Sequence, residues 1–124
     1  MKLWQSLYAM VWLNLAAMLV GTIDVIPHRP QVHATLGLLV VLFAFRNKMA
    51  LGKSQAPRRI KRIAGASATI GVLALGTGVL LAIPALEAWK GVVGAFHVVT
   101  IVALIAQSGS IATAYDMWEE KECA

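Results

Sequence analysis

The sequence predicts an all-α fold, an integral membrane four-helix up-down-up-down bundle with both termini in the cytoplasm. Three observations carry that expectation. The first is composition: of 124 residues, 59% are hydrophobic and 14% charged, and the mean hydropathy is +0.73. A water-soluble domain of this size needs a polar shell, and this composition does not supply one. The second is the recurrence of four apolar stretches, three of them about 20 residues or more and the second shorter. At about 1.5 Å of rise per residue, about 20 residues cross a hydrocarbon core of about 30 Å. The third is charge placement. Seven of the eleven Lys and Arg residues (Arg46, Lys48, Lys53, Arg58, Arg59, Lys61 and Arg62) lie between the second and third stretches, whereas the other two turns carry one each, Arg29 and Lys90. The positive-inside rule puts the basic segment in the cytoplasm and both short turns outside. A formal charge of +5 and a pI near 9.8 do not indicate a nucleic-acid partner here, because the cations sit in one short segment flanked by apolar sequence.

The first helix is expected over 3–23. Trp4 and Tyr8 suit the interfacial belt, and Asn14 is the only strongly polar residue at mid-depth. The apolar stretch is too long for the h-region of a signal peptide, and no small-x-small pattern follows it before Asp24, so it reads as a retained helix. A short turn with two prolines, DVIPHRPQ, leads to a second helix over 32–49. Its strictly apolar part is short, which implies continuation past Arg46 with Arg46 and Lys48 snorkelling. The third helix, 63–83, ends at Pro84. It carries Gly65, Ala68, Gly71, Gly76 and Gly78, small residues that admit either a neighbouring backbone or a flat cofactor. The fourth runs over 92–115 and is followed by an acidic tail, DMWEEKECA, placed to pair with the basic segment. The lone Cys123 has no partner for a disulfide or a Cys-x-x-Cys site. The two halves share an Ile-Pro near the outer turn and a histidine early in the following helix, a faint internal repeat.

An ionisable side chain within an apolar helix is costly and marks a candidate site. His33 and His97 meet this description. From His33 to Arg46 is thirteen residues, about 20 Å of helix, and from His97 to Ser110, where the fourth helix turns polar, is also thirteen. The two imidazoles are thus expected at one depth near the outer face. Helices two and four are diagonal partners in such a bundle, so the rings approach from opposite sides and suit a bis-histidine haem b iron. Gly37, one turn after His33, and Gly94, three residues before His97, leave room on the histidine faces, and Arg29 is placed to meet a haem propionate. The competing expectation is that the histidines only hydrogen-bond across helices against ordinary Gly/Ala packing faces. A third arrangement adds His28 and Asp24 to the pair as a copper or zinc site. No phosphate-binding loop is present, since Gly76-Thr77-Gly78 lies within a membrane helix.

These pieces, HATLGLLVVLF from His33, the basic segment, IGVLALGTGVLLA over 70–82 and GAFHVVTIVALI over 94–105, resemble one four-helix half of the haem A synthase family. The resemblance covers most of the chain. It implies a haem clasped near the outer face by His33 and His97. This sequence has only one half, a short first outer turn without the acidic and cysteine-bearing segment, and His33-Ala34 where the family has His-Arg. What carries over is therefore haem binding. The expected function is a haem-b-binding electron-transfer or haem-handling subunit in a bacterial or archaeal plasma membrane, beside other subunits or a second copy. The alternatives are a non-redox accessory subunit of a respiratory or photosynthetic complex, its histidines structural or ligating a chlorophyll, and a small haem-A-synthase-like enzyme.

Overall fold

Nearly every residue is helical in the computed structural model, which describes residues 1–122. Helix α1 spans Leu3–Thr22, α2 Arg29–Lys53, α3 Arg58–Leu81 and α4 Lys90–Glu122, with a 3₁₀ turn, Pro84–Trp89, leading into α4. Each is long and apolar enough to cross a membrane. Cys123 lies outside the described residues.

The helices differ from the hydropathy-based spans mainly at their charged ends. Helix α2 starts at Arg29 rather than residue 32, with a proline in its first turn, where the missing N–H has no intrahelical acceptor to lose. It continues to Lys53, and α3 starts at Arg58 directly after Pro57. The expected connection over 50–62 therefore shrinks to residues 54–57, and the basic residues from 46 to 62 lie on helices. Lys and Arg are good helix formers, so hydropathy falls at Arg46 while helicity does not. Helix α3 ends at Leu81, two residues before the expected 83. Pro84 disfavours helical backbone at Ile83, which is extended. Helix α4 runs seven residues past 115, to Glu122.

Each helix packs on its chain neighbours, and α1 packs on α4 to close a ring, leaving α2 diagonal to α4 and α1 diagonal to α3. All four adjacent pairs run antiparallel. The start of α1 meets the end of α2 at Ser6 and Asn47, and its end meets the start of α2 at Ala17 and His33. Val41 lies against Gly71 of α3, and Leu75 against Gly37. On the remaining two seams Ser67 joins Gln107 and Thr77 joins His97, while Tyr8 joins Asp116 and Asn14 joins Ser108.

The core is densest at the basic end and at mid-depth. Leu51, with no exposed surface, packs with Leu7, Ile60, Ile111 and Tyr115, and Met10, Val40, Ala68 and Leu104 form a second cluster beyond it. Helix α3 brings a small-residue face to this core at Ala64, Ser67, Ala68, Gly71 and Ala74, the spacing of one helical stripe. Polar groups are turned inward: Ser6, Asn14, Asn47, Ser67, Thr100 and Ser108 are all buried. Large apolar side chains are turned outward, Trp12 being 69% exposed and Val99 64%. This inversion of the water-soluble pattern fits lipid as the outer solvent. Apolar burial then supplies no driving force between helices, and close packing with interhelical hydrogen bonds of roughly 0.6–2 kcal/mol each takes its place. Asn47 is the most connected of these groups. Its carboxamide accepts from the Ser6 hydroxyl and donates to the Ser6 carbonyl at 3.3 Å.

Candidate functional site

At the end of the bundle away from the basic segment the core thins out. The last buried residue of α1 is Ala17 and of α3 is Ala74, and the first of α2 is Val40 and of α4 is Thr100. His33 and His97 occupy this level. His33 is one turn into α2, and His97 about two turns into α4, both half-buried. Although they come from diagonal helices, their ring centroids are 6.1 Å apart with an interplanar angle of 71°. The equal depth expected from counting residues is what places them side by side.

Each ring is seated in the same way on the helix that precedes its own. His33 Nδ1 lies 2.8 Å from the carbonyl oxygen of Ala17 on α1. A carbonyl only accepts, so Nδ1 carries the proton. His97 Nδ1 lies 2.9 Å from Thr77 Oγ1 on α3, and that hydroxyl lies 2.9 Å from the carbonyl of Leu73 and 3.0 Å from that of Ala74. The single hydroxyl proton goes to the helix carbonyls, as is usual for a mid-helix threonine. Thr77 Oγ1 then accepts from His97 Nδ1–H. Both imidazoles thus donate through Nδ1–H, which leaves Nε2 as the nitrogen that would ligate a metal when the ring is neutral.

The seats are made by two glycines. A methyl group on Gly21 of α1 would lie 2.9 Å from Cε1 of His33, and one on Gly78 of α3 would lie 3.2 Å from Cε1 of His97. Sequence reasoning selected Gly37 and Gly94 instead, by helical spacing from the histidines. The structure puts Gly37 against Leu75 and Gly94 against Leu81, on seams with α3. The rings lean onto the preceding helix and not along their own. Thr77 and Gly21 were missed, and no spacing rule within one helix would have found them.

Arg29 is paired through its guanidinium with Asp24, five residues earlier in the turn before α2. His28 stands exposed in a left-handed conformation (φ 53°) at the start of α2. Among the described residues no three His, Cys, Asp or Glu side chains gather where they could hold a metal ion, so the His28/Asp24 copper or zinc arrangement is not assembled. A bare Zn²⁺ needs three or four protein ligands. Haem iron asks the protein for two at most, since the porphyrin fills the other four positions.

The fit to a shared iron can be worked out. A metal–imidazole bond of about 2.0 Å, added to the radius of a five-membered ring of about 1.15 Å, puts two opposed ring centres about 6.3 Å apart. The observed centroid separation is 6.1 Å, close to that figure, with the ring planes at 71°. Comparison with family models, with curated proteins and with solved structures finds no match for this chain.

Proposed function

We propose that this chain is a haem-b-binding protein of a bacterial or archaeal plasma membrane, serving electron transfer or haem handling, with His33 and His97 as the two axial ligands through Nε2. The basic end and both termini face the cytoplasm, where the positive-inside rule puts them, and the histidine pair faces the outer leaflet. One observation carries the proposal: two imidazoles from diagonal helices, 6.1 Å apart, each with its Nδ1 proton committed to an acceptor on another helix. Bound haem would supply one-electron chemistry. The chain's own residues set the conditions for it. Ala17 and Thr77 hold the Nδ1 protons and ring orientations, and Gly21 and Gly78 give the rings space.

The test is a reduced-minus-oxidised absorption spectrum of the purified protein after haem is supplied. The expected result is sharp six-coordinate b-type bands that vanish in His33→Ala and in His97→Ala. Wild-type protein that takes up no haem overturns the proposal, and intact bands in either variant remove that residue as a ligand. The second reading is a pigment-free accessory subunit, and the same two hydrogen bonds favour it, since they satisfy both ring N–H donors by interhelical contacts without any ligand. It predicts co-purification with other membrane subunits and no haem uptake.

A further inference from the structure

The charges of the chain divide unevenly between its two ends. At the histidine end stand four, Asp24, Arg29, Glu87 and Lys90, and the structure joins them as two ion pairs, Arg29 with Asp24 and Lys90 with Glu87. The other nine Lys and Arg and the other four Asp and Glu lie at the basic end, so nine minus four leaves the entire formal charge of +5 there. Among the described residues none of these thirteen groups enters an ion pair. The acidic stretch at the end of α4, placed by the sequence to pair with the basic segment, makes no ion pair with it among the described residues. Asp116 takes a hydrogen bond from Tyr8, while Lys61 and Arg46 donate to neutral carbonyls, those of Gly52 and Ser54 and that of Met1.

These cations are continuous with apolar surface. On α2 the exposed residues Leu38, Leu42, Phe45 and Met49 follow one another at helical spacing and run into Lys48 and Lys53. On α3 the exposed Arg58, Arg59 and Arg62 are followed, past the exposed Ala66 and Thr69, by the exposed Val72, Leu73 and Leu80. The two helices are adjacent and antiparallel, joined by residues 54–57. Tyr8, Tyr115 and Trp118 pack together at the same end, with Trp4 one turn before Tyr8, as aromatic side chains do at a membrane–water boundary. In a membrane the apolar stripe is covered by acyl chains in any case, and an anionic lipid head stands at the level of these cations. A nucleic acid or an acidic protein would have to come from solution.

We propose that the basic end of the α2–α3 hairpin seats an anionic phospholipid, with its phosphate against Lys53, Arg58, Arg59 and Arg62 and its acyl chains along the apolar stripe. The inference needs the chain to lie in a membrane and is independent of haem. Each cation near an anionic headgroup is worth about fivefold in binding, and the effect weakens with salt.

The experiment is the thermal unfolding midpoint of the full chain in neutral-detergent micelles, without added haem. The micelles are doped with phosphatidylglycerol or with phosphatidylcholine, or inorganic phosphate or polyglutamate is added instead. Phosphatidylglycerol alone is expected to raise the midpoint. The rise should diminish in high salt and disappear in the combined Lys53→Gln, Arg58→Gln, Arg59→Gln, Arg62→Gln variant, whose changes are all exposed. An equal rise with phosphatidylcholine, with phosphate or with polyglutamate overturns the proposal, the last in favour of an acidic protein partner. So does a quadruple variant that keeps the phosphatidylglycerol effect. If that variant does not fold, native mass spectrometry of the wild type decides: preferential retention of phosphatidylglycerol over phosphatidylcholine supports the seat, and equal retention refutes it.

Discussion

Replacing Gly21 by alanine tests the histidine seat with a single methyl group. Apolar heavy atoms rest comfortably at about 3.5–4.0 Å, whereas the added carbon would lie 2.9 Å from Cε1 of His33 and 3.0 Å from its Nδ1. The shortfall is at least about 0.6 Å. The ring cannot absorb it freely, because its Nδ1 is tied to the Ala17 carbonyl one turn earlier on the same helix. Either the hydrogen bond breaks or α1 and α2 move apart. Overpacking of this kind costs about 1–3 kcal/mol, against a gain of at most about 1 kcal/mol from alanine's better helix propensity. The clash wins. Haem binding suffers as well, since metal sites tolerate ligand displacements of only about 0.2 Å. At about 1.4 kcal/mol per decade, affinity should fall roughly 5- to 100-fold. Gly78→Ala, where the methyl would lie 3.2 Å from His97 Cε1, should show a smaller loss of both. Gly76→Ala, with open space around it on the same helix, should be neutral or slightly stabilising and should leave haem affinity unchanged. Detergent-phase unfolding and a haem titration followed by absorbance measure the two quantities. A Gly21→Ala protein with wild-type stability and wild-type haem affinity would refute the reasoning about the seat.

Other expectations follow from the same geometry. Thr77→Val keeps the shape but removes the acceptor for His97 Nδ1; haem affinity should drop about 10- to 100-fold, with Thr77→Ser restoring it, and an unaltered titration in the valine variant would dismiss Thr77 as a positioning residue. Asn47→Leu strands the Ser6 hydroxyl in the core and should lower stability by about 1–3 kcal/mol, read from denaturation in detergent; an unchanged midpoint would show the pair to be dispensable. Arg29→Gln breaks only an exposed ion pair, so stability should change by no more than about 1 kcal/mol and the haem spectrum not at all. A shifted spectrum would restore Arg29 to the site.

Much of this was legible in the sequence because two of its signals are one-dimensional. Apolar stretches counted against a bilayer thickness locate four helices, and equal counts from His33 to Arg46 and from His97 to Ser110 anticipate two rings at one level. The helix ends were misplaced where charge and helicity part company. Arg58, Arg59, Lys61 and Arg62 are polar enough to end a lipid-spanning stretch and regular enough to start α3. The seat was illegible for a different reason. Which residue of α1 faces His33 depends on the rotation and register of two packed helices, and α1 gives little guidance, since apolar residues cover all of its faces. Gly37 and Gly94 were sought on the histidines' own helices, where spacing rules apply. Gly21, Ala17 and Thr77 sit one helix away, where they do not.

Each Nδ1 hydrogen bond stays within one hairpin, His33 with α1 and His97 with α3, so the two rings meet across the seams where α2 packs on α3 and α1 on α4. A ligand gripped by one nitrogen from each hairpin would act as a rivet between them, and its affinity would be inseparable from the docking of the hairpins. Cutting the chain within residues 54–57 should then leave two fragments that reunite through those packed seams and do so more tightly when an iron is shared.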